Sequence, residues 1–145
     1  MLIRPATPDD HVALCAIDTL ALHDPGRRGE IAAWLFAGAV RLAEIDGRVA
    51  AYGVMTTHFF GQPFIEMLMV GEQYRRNGLG LALILHFKAI CSGSKLFSST
   101  NMSNLPMQAL FNKAGFKPSG YIDNLDENDP EIVFYSPRTT RQSID

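Results

Sequence analysis

The segment Leu79 to Ile90, LGLALILHFKAI, carries only His86 and Lys88 as strongly polar residues. A helix apolar on nearly every side must be covered by protein. It is also shorter than the roughly 18–20 apolar residues needed to span a bilayer. The chain therefore has to supply the cover, and residues 64–70, FIEMLMV, read as an apolar strand for the helix to lie against. Strand, glycine-bearing turn and buried helix in succession form the crossover unit of an α/β sheet.

Turn signals divide the rest of the chain. Leu2, Ile3 and Arg4 are a short extended run ended by Pro5, and residues 7–10 offer caps for a helix carrying Val12, Leu14, Cys15, Ile17 and Leu20. Asp24-Pro25-Gly26 reads as a turn before a helix over residues 28–37. Residues 40–45 and 48–58 form a hairpin about Asp46-Gly47, a strong two-residue turn signal. Gly61-Gln62-Pro63 turns into strand 64–70, and the helix 79–90 follows. Strand 95–100, helix 105–114 ended by Gly115, and strands near Tyr121 and over 131–135 complete the order β-α-α-β-β-β-α-β-α-β-β. This order predicts an α/β fold with one mixed, mostly antiparallel sheet and helices on both faces.

At 145 residues and 47% hydrophobic content, residues 1–145 read as a single domain with a sizeable core. The opening MLIRPATPDD has no apolar run of a signal peptide, so a cytoplasmic protein without a membrane anchor is expected. Cys15 and Cys91 lie 76 positions apart with no metal-ligand spacing, so no structural metal and no disulfide framework are expected. The acidic run 123–129 reads as a solvated turn, since it lacks the spacing of a calcium loop. Charge is unevenly placed. Residues 73–122 hold six bases, Arg75, Arg76, Lys88, Lys95, Lys113 and Lys117, and no acid, whereas the flanks are each −4. That bias is too small for a nucleic-acid-binding domain, but it marks a place for a local anion.

The anion site implied is Tyr74-Arg75-Arg76-Asn77-Gly78-Leu79-Gly80-Leu81. A glycine turn entering a helix leaves backbone N–H groups unpaired at the positive end of the helix dipole. It is not a Walker loop, which needs Gly-Lys-Ser/Thr. It is not the dinucleotide fingerprint either, because Leu83 stands where a small third residue is required. A hairpin at Asn77-Gly78 is disfavoured by the lack of alternation after Leu79.

The pattern R-x-x-G-x-G, filled by Arg75, Gly78 and Gly80, resembles the acetyl-CoA pyrophosphate loop of the GNAT superfamily of N-acetyltransferases. The preceding strand IEMLMV, the downstream Asn104 with ALFNKAGF (residues 109–116), and the opening IRPATPDD are similar to family segments in the same order. The resemblance implies the GNAT (acyl-CoA N-acyltransferase) fold, acetyl-CoA as cosubstrate and an amine as acceptor. Arg75, Arg76, Asn77, Gly78, Leu79 and Gly80 would cradle the pyrophosphate. Leu68, Met69 and Val70 would pair with the pantetheine arm where this strand and the next splay apart. Asn104 and Phe111 would belong to the second cofactor segment. A homodimer is compatible with the size and family.

Acetyl transfer asks for removal of an amine proton, stabilisation of a developing oxyanion and departure of a thiolate. Glu66 is the only acid between Asp46 and Glu72 and sits in an apolar strand, sharing a face by alternation with Phe64, Leu68 and Val70. A carboxylate there is costly unless paired or functional, so Glu66 is the candidate catalytic group, with a structural role as the alternative. A backbone N–H near Met69 or Val70 would serve the oxyanion by analogy. Many family members carry a tyrosine as thiolate acid where this chain has Phe111, which has no proton to give; water, Tyr74, Tyr121 or a serine would have to substitute. The acceptor cleft would border residues 23–36 and His58 and Phe59, with His23, Asp24 and Glu30 as minor candidates for contacting a cationic amine. The leading expectation is acetylation of a small-molecule primary amine. The alternatives are a protein N-terminal or lysine acetyltransferase, or a CoA-binding sensor without turnover, which Phe111 favours.

Overall fold

The computed structural model describes residues 1–91 and 93–137. Among these, the elements run β1 (Leu2–Pro5), α1 (His11–Ile17), α2 (Pro25–Phe36), β2 (Val40–Ile45), β3 (Arg48–Phe59), β4 (Gln62–Val70), α3 (Leu79–Ile90), β5 (Leu96–Asn101), α4 (Leu105–Lys113), β6 (Lys117–Ile122) and β7 (Glu131–Ser136). The order is the expected one. The sheet has seven strands arranged β1-β2-β3-β4-β5-β7-β6. β4 and β5 are parallel, whereas β1–β2, β2–β3, β5–β7 and β6–β7 are antiparallel. The sheet is therefore mixed and mostly antiparallel, as the hairpins and the single central crossover dictate.

Several boundaries differ from the sequence reading. α1 ends at Ile17, leaving Leu20 in the turn beyond it, because the Asp18 carboxylate takes the Leu20 and Ala21 N–H groups. α2 begins at Pro25 because Asp24 is its N-cap: the Asp24 carboxylate accepts the Gly26 N–H at 2.8 Å, and Pro25 has no N–H to leave unpaired. β4 begins at Gln62 because the turn before it is Phe60-Gly61, with φ of 52° and 73°. Two positive φ values in succession define the hairpin turn whose twist matches the strands. Asp46-Gly47 adopts the same conformation, with φ of 51° and 75°, as its sequence foretold.

The chain divides into two compact units. One comprises Met1–Met55 with Met67–Leu83; the other comprises Thr56–Glu66 with the described residues from Ile84 on. In the first, alternation along the strands separates two cores. Val40, Leu42, Tyr52, Val54, Met67 and Met69 pack with Leu14, Ile31 and Leu35 of α1 and α2. The intervening Ala43, Ala51, Ile45, Leu68 and Val70 pack with Leu79 and Leu83 of α3. The alanines on that face keep it flat enough for the apolar helix to lie on. In the second unit, Phe111 of α4 stacks on Phe134 of β7, ring centroids 5.0 Å apart, and lies against Phe116. Phe97 of β5 sits between Phe59 and Tyr135.

Candidate active site

The loop entering α3 is built in the first unit. Gly71 closes β4 by donating its N–H to Ala50 O at 2.8 Å, and Tyr74 N–H returns to Gly71 O at 2.8 Å. A Cβ on Gly71 would stand 3.1 Å from the Tyr74 ring and 3.2 Å from Ala50 O, so a side chain here would have to push its neighbours back by a few tenths of an ångström. Tyr74 packs with Leu68, Val70, Leu79 and Leu83, which roots the loop against the strand and the helix it joins. Beyond Tyr74 the chain turns outward. Arg75, Arg76, Asn77 and Gly78 are exposed, and Asn77 Nδ2 donates to Tyr74 O at 3.1 Å. Arg76 and Gly78 both occupy left-handed backbone, φ 68° and 74°.

The bond from Ala82 N–H to Gly78 O, 3.0 Å, opens the α3 ladder. The N–H groups of Leu79, Gly80 and Leu81 precede it and have no carbonyl of their own helix to bond. Leu79 is buried, so what it offers an anion is its backbone N–H, not its side chain. A Cβ built on Gly78 meets nothing within 4 Å. The surface above this helix start is therefore open to a ligand, and two exposed guanidinium side chains precede it. This is the donor set a pyrophosphate requires.

In the second unit, the parallel ladder of β4 and β5 registers Phe64 with Phe97 and Ile65 with Ser98, and stops one residue before Glu66. The buried Ser98 hydroxyl donates to Ile65 O at 2.9 Å, occupying the last β4 carbonyl of that ladder with a side chain. Glu66 itself is 25% exposed at its side chain, and its Oε1 accepts from the Thr56 hydroxyl and lies 3.1 Å from His58 Nδ1. The carboxylate that the sequence sets in an apolar strand is thus a paired one, as its cost there requires. Glu66 is only part-buried and is met by two polar groups from β3. Neither Thr56 nor the His58–Glu66 contact was legible in the sequence, because both depend on hairpin register fixed by the Phe60-Gly61 turn.

Two other expected cofactor residues have structural duties. Asn104 is the N-cap of α4, its Oδ1 accepting the Met107 N–H at 3.2 Å. Phe111 is 0% exposed and presents no surface to a ligand, so its side chain belongs to the core. Of the basic stretch, Lys88 is engaged internally, donating to Ala114 O at 2.6 Å over the Phe116 ring. Asp126 and Asp129 of the acidic run accept from Asn101 Nδ2 and from Ser103, tying the β6–β7 connection to the end of β5. Among the described residues no cluster of three metal-ligating side chains occurs.

The first unit also contains a cluster absent from the sequence reading. Asp18, at the C-terminus of α1, is fully buried. Its Oδ1 accepts the N–H groups of Leu20 and Ala21 at 3.0 and 3.1 Å. Its Oδ2 accepts the Tyr52 hydroxyl at 2.5 Å and lies 3.5 Å from Arg27 Nη1. Burial, reinforced by the bond to Asp18, pushes the Tyr52 hydroxyl pKa well above the usual tyrosine range. Arg27 lies over the Trp34 ring at 5.8 Å and reaches the Met67 sulfur at 3.6 Å.

An α/β acyltransferase architecture with an open helix-start loop is what these elements define, and comparison with known proteins agrees. A model of the acetyltransferase (GNAT) family matches residues 8–116. A GNAT-family acetyltransferase structure from Bacillus cereus ATCC 10987 is 33% identical, with a TM-score of 0.86 over 96% of this chain and 98% of that one. A ribosomal-protein-alanine N-acetyltransferase from Brucella melitensis shares the fold at 20% identity and TM-score 0.73, over 94% of this chain and 99% of that one. An acetyltransferase from Bacillus anthracis, solved with acetyl coenzyme A, shares it at 19% identity and TM-score 0.60, over 69% of this chain and 62% of that one. No curated protein matches the chain at a significant level. The chain belongs to the GNAT family of acetyltransferases.

Proposed function

We propose that the protein transfers an acetyl group from acetyl-CoA to the primary amine of a small-molecule acceptor, acting as one domain in the cytoplasm. The observation that carries the reading is the α3 start, where open N–H groups at Leu79, Gly80 and Leu81 follow a left-handed Gly78 and exposed Arg75 and Arg76. The family match spans both units, which supports the single-domain reading. No described helix is long and apolar enough to cross a membrane, and a cytoplasmic site is compatible with that.

Acetyl-CoA supplies an activated thioester. The chain's own residues do the rest. Backbone N–H groups of residues 78–81 and the guanidinium groups of Arg75 and Arg76 hold the pyrophosphate. Leu68, Met69 and Val70 at the end of β4 offer main-chain groups to the pantetheine amides as an added strand would. Glu66, with the polar groups of β3 that meet it, marks the place where the acceptor amine gives up its proton. Because Phe111 is core, no side chain at that position protonates the departing thiolate. A thiol of ordinary pKa, about 8.5, leaves without a dedicated acid and takes its proton from water.

Release of CoA thiol over a panel of small primary amines, amino acids and a peptide with a free N-terminus tests the reading. Turnover on a small amine is expected. Turnover on the peptide alone favours a protein N-terminal acetyltransferase, and saturable acetyl-CoA binding with no turnover on any amine favours a sensor.

A further inference from the structure

Glu66 does not stand alone at the point where the β4–β5 ladder stops. His58, on the neighbouring strand, brings Nδ1 to 3.1 Å from Glu66 Oε1, and the Thr56 hydroxyl donates to the same oxygen. A carboxylate can only accept, so the hydrogen bond requires the proton on Nδ1. In the neutral ring this leaves the lone pair on Nε2, at the side of the imidazole turned away from Glu66. The His58 side chain is 81% exposed, so that lone pair is open to an incoming molecule, whereas Glu66 is 25% exposed with Oε1 already receiving two donors. The arrangement has the logic of a carboxylate-oriented histidine: the carboxylate fixes the tautomer and steadies the imidazolium that forms, and the histidine handles the proton.

We propose that His58 Nε2 is the general base that takes the proton from the acceptor amine, and that Glu66 and Thr56 are positioning residues acting through it. The proposal rests on the acetyltransfer reading above and assigns its proton-transfer atom. In the step, the amine nitrogen donates its lone pair to the acyl carbon, forming the C–N bond as the C–S bond breaks. The C–S electron pair leaves on the thiolate sulfur. The proton lost by nitrogen goes to His58 Nε2, giving an imidazolium paired with Glu66. Water then returns the ring to neutrality and supplies the thiol proton.

The exposed ring lets His58 be replaced without disturbing the core, so the test is H58A beside wild type, T56V, T56S and H58A with added imidazole. Acetyl-CoA affinity is measured by calorimetry and turnover by CoA thiol release. H58A is expected to lower kcat by about 10²–10⁴-fold with acetyl-CoA affinity unchanged, and free imidazole is expected to restore part of the loss. T56V lowers kcat less, and T56S recovers it, because the donor to Glu66 is what matters. H58A turning over at the wild-type rate overturns the assignment and leaves Glu66 as the base. A loss that imidazole does not rescue, with acetyl-CoA affinity falling in parallel, overturns it also and makes His58 a structural residue. Wild-type protein that binds acetyl-CoA but acetylates no amine overturns the reading of function beneath it, a distinct result.

Discussion

Replacing Tyr52 by phenylalanine removes one oxygen from the α1–α2 side of the sheet and leaves the ring in place. The hydroxyl is the close partner of Asp18 Oδ2, at 2.5 Å, and Asp18 is fully buried. Without it, Oδ2 keeps only Arg27 Nη1 at 3.5 Å, beyond a good hydrogen bond. A hydrogen bond to a charged group contributes about 1.5–3 kcal/mol, and the phenyl ring fills the same space, so Tyr52→Phe should cost about 2 kcal/mol. For a chain near this size that lowers Tm by roughly 8 °C, at about 4 °C per kcal/mol. Urea unfolding followed by circular dichroism should show a lower midpoint with unchanged slope. Combining Tyr52→Phe with Asp18→Asn should give a coupling of at least about 1 kcal/mol. The pH dependence has a definite sign. A tyrosine whose folded pKa is raised contributes stability below its unfolded pKa, and that contribution is lost as pH climbs beyond about 10. The gap between wild type and Tyr52→Phe should therefore shrink above about pH 10. A variant within about 0.5 kcal/mol of wild type at neutral pH would refute the view that this hydroxyl compensates the buried carboxylate.

The Asp10 carboxyl is held below the usual aspartate range chiefly by its hydrogen bonds from the Arg4 fork, 2.9 and 3.0 Å, with burial opposing. A depressed folded pKa contributes stability above the unfolded value, 3.8, and loses it as pH falls below that. Asp10→Asn should cost about 1 kcal/mol at pH 7, solvent at Arg4 limiting the pair, and almost nothing at about pH 2; a gap undiminished in acid contradicts the assignment. Phe111→Tyr restores the residue common in the family, yet here the new hydroxyl enters a core of Phe116 and Phe134. It should destabilise by about 1–3 kcal/mol without raising kcat, and a clear gain in kcat would show that this position reaches the leaving thiolate after all.

What the sequence revealed depended on how local its cause was. Asp46-Gly47, the apolar run 79–90 and the glycine loop before it are local signals, and each element formed where its residues placed it. The α3 boundaries were read to the residue. The turn read at Gly61-Gln62-Pro63 falls one residue earlier, at Phe60-Gly61, because phenylalanine carries no local preference for positive φ that would mark it. The polar clusters were missed for the opposite reason. Asp18 meets Tyr52 34 positions away, and Thr56 and His58 meet Glu66 across a hairpin, so no spacing rule connects them. Phe111 looked like a cofactor residue through family resemblance alone, and its burial corrects that.

Acetyl-CoA titration of wild type against Gly78→Val bears most directly on the central claim. Gly78 has φ of 74°, and an added Cβ meets no atom of the protein within 4 Å. Holding a β-branched residue in that conformation costs at least about 1–2 kcal/mol, which the free loop can relieve by shifting but a bound pyrophosphate would not allow. The account predicts saturable binding by wild type and at least about a tenfold weaker Kd in a variant whose unfolding midpoint is nearly unchanged. Equal affinity in the two proteins would contradict the assignment of the loop as the seat of the coenzyme's pyrophosphate.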